Sequence, residues 1–152
     1  MREAVYHSHL LIRQKNLAVH WDCEEEDHIV QGDYIRIEQV IRNLIDNAIK
    51  YTAENGEILL SVTTAQDICR IAVTNTCAPL TEHQLENLFI SFYKADESRH
   101  LEQQSFGLGL AIVKATMDLH NQNCTARNTQ DGLQISFALP LMNIEDETED
   151  NV

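Results

Sequence analysis

The clearest pattern of hydrophobic and polar positions lies between residues 33 and 51, where apolar side chains recur every three or four residues. That spacing predicts an amphipathic helix, which starts after Gly32 with Asp33 as its candidate N-cap. The apolar stripe consists of Ile37, Val40, Ile41, Leu44, Ile45 and Ala48. One face of this long helix is therefore expected to be buried.

Five shorter segments carry the β-branched or alternating residues that are typical of strands. They are residues 17–21, 57–64, 68–75, 123–128 and 133–139. The second and third of these flank a short polar connection at 65–67, so together they predict a β-hairpin. A turn at Asn55 and Gly56 is predicted to lead into that hairpin.

Three more segments have the composition or spacing of helices. They are residues 2–15, 81–89 and 107–120. The first is interpreted as the end of a helix that continues upstream, and the second begins with a sequence that resembles a capping box. The polar residues 94–106 predict a mobile loop, and the acidic run 24–27 predicts a loop before the next element. The order of elements predicts an α/β fold in which about three helices pack on one side of a mixed sheet.

The composition suits one globular domain, with 43% hydrophobic and 23% charged residues in 152 positions. The net charge of −13 argues against nucleic acid or an anionic membrane surface as a partner, because phosphate groups would be repelled. Five acidic residues fall within 143–152, which is interpreted as a disordered tail. No apolar run is long enough to cross a bilayer and no signal peptide is recognised, which favours a cytoplasmic fragment.

The four cysteines lack the spacing that a zinc site requires, and they are interpreted as reduced thiols. They are Cys23, Cys69, Cys77 and Cys124. A more promising polar stripe lies on the long helix, where Asn43, Asn47 and Lys50 project from one edge. Amide oxygens can bind Mg²⁺ and a lysine can neutralise phosphate, which together describe half of a nucleotide triphosphate site. A solvated helix edge would explain the same three residues.

A glycine turn opens the helix predicted at 107–120, with glycines at Gly107 and Gly109. Glycine permits close approach of a ligand to the backbone, and the first N–H groups of a helix attract phosphate. The turn lacks the strand and the GxGxxG pattern of a dinucleotide fold, and it also lacks the lysine of a P-loop. The pattern therefore favours phosphate but excludes these two familiar phosphate-binding folds.

Four motifs, in this order, resemble those of the ATP-binding domain of sensor histidine kinases. NLIDNAIKYT (43–52) is similar to the asparagine box, VTNTCAPL (73–80) to the first glycine box, LFISFYKAD (88–96) to the phenylalanine box and FGLGLAIVK (106–114) to the second glycine box. The resemblance implies a two-layer α/β sandwich called the Bergerat fold. Gyrase-type, heat-shock chaperone and mismatch-repair ATPases share this fold with the histidine kinases.

The resemblance implies ATP and Mg²⁺ as cofactors and assigns a role to each matching residue. Asn47 is expected to ligate Mg²⁺, while Asn43 and Lys50 reach the phosphates. Lys94 and Arg99 are candidates to assist transfer of the γ-phosphate, with Asn43 as the third catalytic residue. The residues expected to contact the nucleotide are Asn43, Asn47, Lys50, Tyr51, Asn75, Leu80, Phe89, Phe106, Gly107, Leu108, Gly109 and Leu110.

The adenine end of the expected site departs from the family pattern. Tyr51 is expected near the adenine or ribose. Asn75 stands where an aspartate usually accepts a hydrogen bond from the adenine amino group, and Cys77 and Pro79 occupy glycine positions. A neutral amide makes a weaker hydrogen bond than a carboxylate, by about 1 kcal/mol. Weaker nucleotide binding than is usual in the family is therefore predicted.

The type of reaction is indicated by Asn43, because the related hydrolytic ATPases carry at this position a glutamate that activates water. An amide cannot take a proton at neutral pH, so the resemblance implies a protein-histidine kinase that holds ATP for another nucleophile. None of the seven histidines is followed by an acidic residue, as the phospho-accepting histidine of the family typically is. The fragment is therefore expected to bind Mg-ATP without phosphorylating itself.

The resemblance also implies a modular parent protein, anchored in the bacterial cell membrane. Residues 1–16 are interpreted as the remnant of a preceding dimerisation domain, residues 17–142 as the catalytic domain and residues 143–152 as the tail. The expected partners are ATP, the upstream phospho-acceptor domain and the receiver domain of a response regulator. Two other functions remain open: an interaction module with a degenerate nucleotide site, and a serine kinase that controls a sigma factor.

Overall fold

The computed structural model describes residues 1–23, 28–91 and 108–142. Several sequence-based predictions fall outside these ranges. They are the loops predicted at 24–27 and 94–106, the tail predicted at 143–152, and the candidate site residues Lys94, Arg99, Phe106 and Gly107.

Five helices form in the described ranges. They are α1 (Arg2–His7), α2 (His9–Gln14), α3 (Tyr34–Tyr51), α4 (Glu82–Asn87) and α5 (Gly109–Leu119). The predicted start of the long helix is confirmed, since the Asp33 side chain accepts a hydrogen bond from the Arg36 N–H at 3.1 Å. The predicted capping box is also confirmed, because the side chains of Thr81 and Gln84 each accept from the other's backbone N–H. None of the described helices is long and apolar enough to cross a membrane.

Five strands form one mixed sheet. They are β1 (Ala18–Cys23), β2 (Glu57–Ala65), β3 (Ile68–Thr76), β4 (Cys124–Asn128) and β5 (Gly132–Pro140). Their order is β1-β2-β3-β5-β4, with β1 parallel to β2 and every other neighbouring pair antiparallel. The predicted α/β class is therefore confirmed. The connection in the hairpin is shorter than predicted, because β2 extends to Ala65, and Gln66 adopts a left-handed conformation with φ 54°.

The N-terminal segment differs from its prediction, because residues 2–15 form two short helices that meet at Ser8. Serine competes with helical hydrogen bonding through its own hydroxyl, and here the Ser8 Oγ donates to the Asp46 carboxylate of α3 at 3.3 Å. On the same segment Ala4 is buried in the core, and the Arg2 guanidinium lies 5.5 Å from the centre of the Trp21 ring. The first helix is therefore packed onto the sandwich, and Ile12 of α2 is partly buried against the same core.

The core lies between the sheet and the two longer helices, α3 and α5. Among its fully buried side chains are Val40, Leu44, Ile58, Leu60, Val113, Met117, Phe137 and Leu139. The predicted apolar stripe of α3 is buried except for Ile41, which is half-buried. Asp33 at the start of α3 contacts His120 at the end of α5, while Asn43 lies against Gly109 at the start of α5. The two helices therefore run antiparallel, and the start of α5 lies against Asn43 of α3.

Candidate functional site

The polar edge of α3 is present as the sequence predicts. Asn43, Asn47 and Lys50 are all half-buried, so they belong neither to the core nor to the open surface. The amide nitrogen Nδ2 of Asn43 is buried, and it has no hydrogen-bond partner among the residues described. An unsatisfied buried donor costs about 1–3 kcal/mol. A polar ligand at this edge would remove that cost.

Gly109 begins α5 directly beside Asn43. A Cβ added at Gly109 would lie 3.8 Å from Asn43 Oδ1 and 3.9 Å from its Cγ, which are ordinary contact distances. The packing of the described residues therefore does not require glycine here. No side chain in the described ranges caps this helix start, where Leu108 is the N-cap residue. The first N–H groups of α5 can therefore donate to an anion that approaches Asn43.

Lys50 lies near the C-terminal end of α3, with its ammonium 4.9 Å from the centre of the Tyr51 ring. Tyr51 is 40% exposed. A cation–π contact at an exposed position contributes about 0.5–1 kcal/mol. A charged hydrogen bond to phosphate contributes about 1.5–3 kcal/mol. The contact with the Tyr51 ring alone would therefore not keep the ammonium of Lys50 from a phosphate group.

Asn75 lies at the end of β3 and shares a face of that strand with the buried residues Ile71 and Val73. Only 4% of Asn75 is exposed, and its amide nitrogen Nδ2 is a second buried donor without a hydrogen-bond partner in the described ranges. The backbone beside it is closely packed. A Cβ at Gly132, on the neighbouring strand, would lie 1.9 Å from the Asn75 carbonyl oxygen. Asn75 is therefore fixed in place by its backbone.

The ends of α3 and β3 are brought together at Gly56. A Cβ there would lie 2.4 Å from Thr52 Cγ2 and 2.6 Å from Thr76 Oγ1, so Gly56 is in contact with both elements. Thr52 is the C-cap residue of α3, and Thr76 directly follows Asn75. Asn75 therefore lies close to the last turn of α3, which carries Lys50.

Cys77 follows this end of β3 and is half-buried. Burial raises the pKa of its thiol above the ordinary value of 9.0, while the Leu133 backbone N–H and the Asn75 side chain act in the opposite direction. The thiol therefore stays neutral at physiological pH. A neutral thiol is a weak hydrogen-bond acceptor, and its position does not give Asn75 Nδ2 a hydrogen bond of normal geometry.

The remaining predicted contact residues differ in their surroundings. Leu80 and Phe89 are half-buried against the core, and Leu110 belongs to the core itself. The backbone of Leu80 is held by the Asn128 side chain, which accepts from its N–H at 2.9 Å and donates to its carbonyl at 2.7 Å. Leu108, in contrast, is 37% exposed. Leu108 can therefore contact a ligand without leaving the core, whereas Leu110 anchors the start of α5 in the core.

Lys15 is a supporting residue that the sequence did not reveal. Its ammonium donates to the carbonyl oxygens of Ile49, Lys50 and Thr52 at 2.6, 3.0 and 2.6 Å. The last carbonyls of a helix lack intrahelical partners, and a positive charge at this end also complements the helix dipole. Lys15 precedes these residues by 34 or more positions, so no local pattern could have indicated the contact.

His120 is a second supporting residue, and it joins the far ends of α3 and α5. Its Nε2 accepts from the Asp33 backbone N–H at 3.0 Å, and its Nδ1 lies 2.8 Å from the Thr116 carbonyl oxygen. Because one nitrogen must accept and the other must donate, this arrangement selects the neutral tautomer with hydrogen on Nδ1. The sequence predicted His120 only as a surface or packing residue.

A separate open pocket of about 520 Å³ lies at the other end of α3, against α1. Its lining includes Met1, Ala4, Val30, Tyr34 and Ile41, and none of the candidate site residues. Three or more His, Cys, Asp or Glu side chains do not come together as a metal site anywhere in the described ranges. The polar edge beside Gly109 is therefore the better candidate site, with amide rather than carboxylate ligands.

Comparison with known proteins agrees with this geometry. The family model of the histidine kinase-, DNA gyrase B- and HSP90-like ATPases matches residues 32–143. Sensor protein DltS of Streptococcus agalactiae is 32% identical over 120 residues, which make up 79% of this chain and 30% of DltS. The chain therefore spans less than a third of that relative.

Solved structures provide the match in three dimensions. A nucleotide-free catalytic domain of histidine kinase ThkA superimposes with a TM-score of 0.78 at 30% identity, over 91% of this chain and 88% of that domain. ThkA in complex with response regulator protein TrrA gives a TM-score of 0.76 at 28% identity, over 93% of this chain and 39% of ThkA. Since family model, sequence and fold agree, this chain belongs to the histidine kinase-, DNA gyrase B- and HSP90-like ATPase family, as an ATP-binding catalytic domain of the histidine kinase type.

Proposed function

We propose that this chain binds Mg-ATP at the polar edge of α3 and donates the γ-phosphate to a histidine on an upstream dimerisation domain. The observation that carries the proposal is the buried amide nitrogen of Asn43, which has no hydrogen-bond partner among the described residues. It lies beside the start of α5 at Gly109, which no side chain of the described ranges caps. A phosphate placed between them would accept hydrogen bonds from both. The complex of the related kinase ThkA with a response regulator supports a receiver domain as the next recipient of the phosphoryl group.

The residues on the edge suit the parts of a magnesium-bound triphosphate. Asn47 would hold Mg²⁺ through its amide oxygen, and the ion would neutralise part of the phosphate charge. Asn43, Lys50 and the first N–H groups of α5 would hold the phosphates. The amide of Asn43 cannot act as a base, so the site is suited to keeping ATP intact until the histidine attacks in line.

The proposal includes the division of a longer protein. Residues 1–16 form the end of the segment that leads from the dimerisation domain, residues 17–142 form the catalytic domain, and residues 143–152 form a tail. The catalytic domain faces the cytoplasm, where ATP and response regulators are found, and the parent protein is anchored in the membrane. The hydrogen bonds of Lys15 with the end of α3 support direct contact between residues 1–16 and the catalytic domain.

Calorimetry with ATP, in the presence and absence of Mg²⁺, tests the nucleotide site. We expect binding that requires the metal, and we expect Asn47→Ala to weaken it by at least about tenfold, or about 1.4 kcal/mol. The matched control is Arg42→Ala, whose exposed side chain pairs with Glu38 on another edge of the same helix. Equal affinity in Asn47→Ala and the control would contradict the metal role, and no binding at millimolar Mg-ATP would contradict the nucleotide site.

Phosphoryl transfer is tested separately. Incubation of the parent protein with ATP is expected to produce acid-labile phosphohistidine on the dimerisation domain. The 152-residue chain alone is expected to remain unmodified, because none of its histidines is followed by an acidic residue. Stoichiometric phosphohistidine on this chain, detected by mass spectrometry, would overturn the assignment of the acceptor to another domain.

A further inference from the structure

The base-binding end of the proposed site is occupied by an amide that carries both a donor and an acceptor. Asn75 is 96% buried, and its Nδ2 has no hydrogen-bond partner within the described ranges. The neighbouring Cys77 thiol interacts with the Asn75 side chain only weakly, since a thiol is a poor hydrogen-bond acceptor and the contact lacks normal hydrogen-bond geometry. A buried N–H without a normal partner is uncommon, and it favours an orientation of the amide in which this N–H reaches an acceptor.

The chemistry of an amide differs from that of a carboxylate in one respect that matters for a nucleobase. An ionised carboxylate only accepts hydrogen bonds, so it suits a base edge that presents an amino group. An amide can turn by 180° about its terminal torsion, which is broad and roughly two-fold, and so exchange its donor and acceptor. The Nδ2 of Asn75 makes no hydrogen bond in the described structure that would hold the amide in one of these two orientations.

We propose that Asn75 makes this a site for purine nucleotides with either an amino or a keto group at ring position 6, so that ITP and GTP bind alongside ATP. The proposal rests on the nucleotide site proposed above. With adenine, Oδ1 of Asn75 faces the base and accepts from the amino group. With a keto purine the amide is turned, so Nδ2 takes the place of Oδ1 and donates to the keto oxygen. Each base receives one direct hydrogen bond from Asn75.

ITP is the sharpest probe, because its base differs from adenine only at ring position 6 and in the proton on N1. GTP adds a second amino group and tests whether the site also has room at ring position 2. Affinities of the 152-residue chain are measured by competition against a fluorescent ATP analogue in the presence of Mg²⁺. We expect the affinities for ATP and ITP to lie within about tenfold of each other, whereas one mismatched base edge changes affinity by about 5- to 150-fold.

The variant Asn75→Asp is the decisive comparison. It places a carboxylate against the keto oxygen, so we expect stronger ATP binding, weaker ITP binding and a ratio shifted by at least about 30-fold. The control Asn123→Asp adds the same charge at an exposed position and should leave the ratio unchanged. If Asn75→Asp does not fold, Asn75→Ser replaces it. A hydroxyl both donates and accepts, so this variant should retain a ratio near that of the unmodified chain.

The outcomes separate this inference from the proposed function. Binding of ATP with ITP more than about tenfold weaker would overturn the dual base preference and leave the ATP site standing. An unchanged ratio in a folded Asn75→Asp variant would also overturn it, as would a ratio shifted by more than about tenfold in Asn75→Ser. Failure of every nucleotide to bind would overturn the proposed function itself.

Discussion

Replacement of Lys15 by methionine is the most informative test of how the site is held. Methionine keeps most of the aliphatic volume, so the change removes the ammonium and its three hydrogen bonds to the end of α3. A hydrogen bond to a charged group contributes about 1.5–3 kcal/mol, and a cation at a partly buried helix C-terminus contributes up to about 2 kcal/mol. These contributions overlap, and Lys15 is only half-buried, so water can reach some of the carbonyls that are released. A loss of about 2 kcal/mol in the free energy of unfolding is therefore expected.

Urea denaturation measures this loss, with the slope of the transition unchanged if the fold is retained. The matched control is Arg13→Met, which removes an exposed positive charge from α2 without touching α3. Nucleotide affinity should fall as well, because one of the three carbonyls belongs to Lys50, whose side chain is proposed to bind phosphate. A loss below about 0.5 kcal/mol, equal to that of the control, would refute the argument, since exposed charges typically contribute no more than this.

Two further predictions follow from particular side chains. Gly109→Ala should leave the stability to urea unchanged or slightly raised, because alanine favours helix and the added methyl group only reaches ordinary contact with Asn43. The ATP affinity of this variant, measured by calorimetry, should fall about tenfold, because the methyl group prevents close approach of the phosphate to the backbone. Because burial raises the pKa of Cys77 above 9.0, folding favours the protonated thiol. The contribution of the Cys77 thiol to the free energy of unfolding is complete below pH 9.0, and it is lost as the pH rises through the pKa of the thiol in the folded state. Burial also raises the pKa of Cys124. The melting temperature should therefore fall between about pH 8 and 11. Cys77→Ala should make this fall smaller, and the double variant with Cys124→Ala should largely remove it.

Much of the fold could be predicted because its elements have local causes. The long helix carries its own apolar stripe and its own N-cap at Asp33, and the hairpin carries two β-branched runs on either side of a polar turn. The polar edge of α3 was equally visible, since Asn43 and Asn47 are separated by about one helical turn. The four motifs then identified the family, which the comparisons confirm.

The features that the sequence could not show depend on contacts between distant segments. The parallel pairing of β1 with β2 leaves no local pattern, because it depends on how the chain returns after α3. Lys15 and His120 look like ordinary surface residues until the fold brings them to the ends of α3. The division of residues 2–15 at Ser8 was missed for a similar reason, since the Asp46 carboxylate that Ser8 contacts lies in another helix.

The antiparallel pairing of α3 with α5 places a strict requirement on the length of α5. His120 attaches the last turn of α5 to the first residues of α3, and the eleven residues from Gly109 to Leu119 then bring the first turn of α5 to Asn43. Insertion or deletion of one residue between these points would rotate the helix start by about 100° and displace it by about 1.5 Å. Natural variation in the number of residues is therefore expected in the segments on either side of α5. Any loss or gain within α5 would separate Asn43 from the first N–H groups of α5, which are proposed to bind phosphate together.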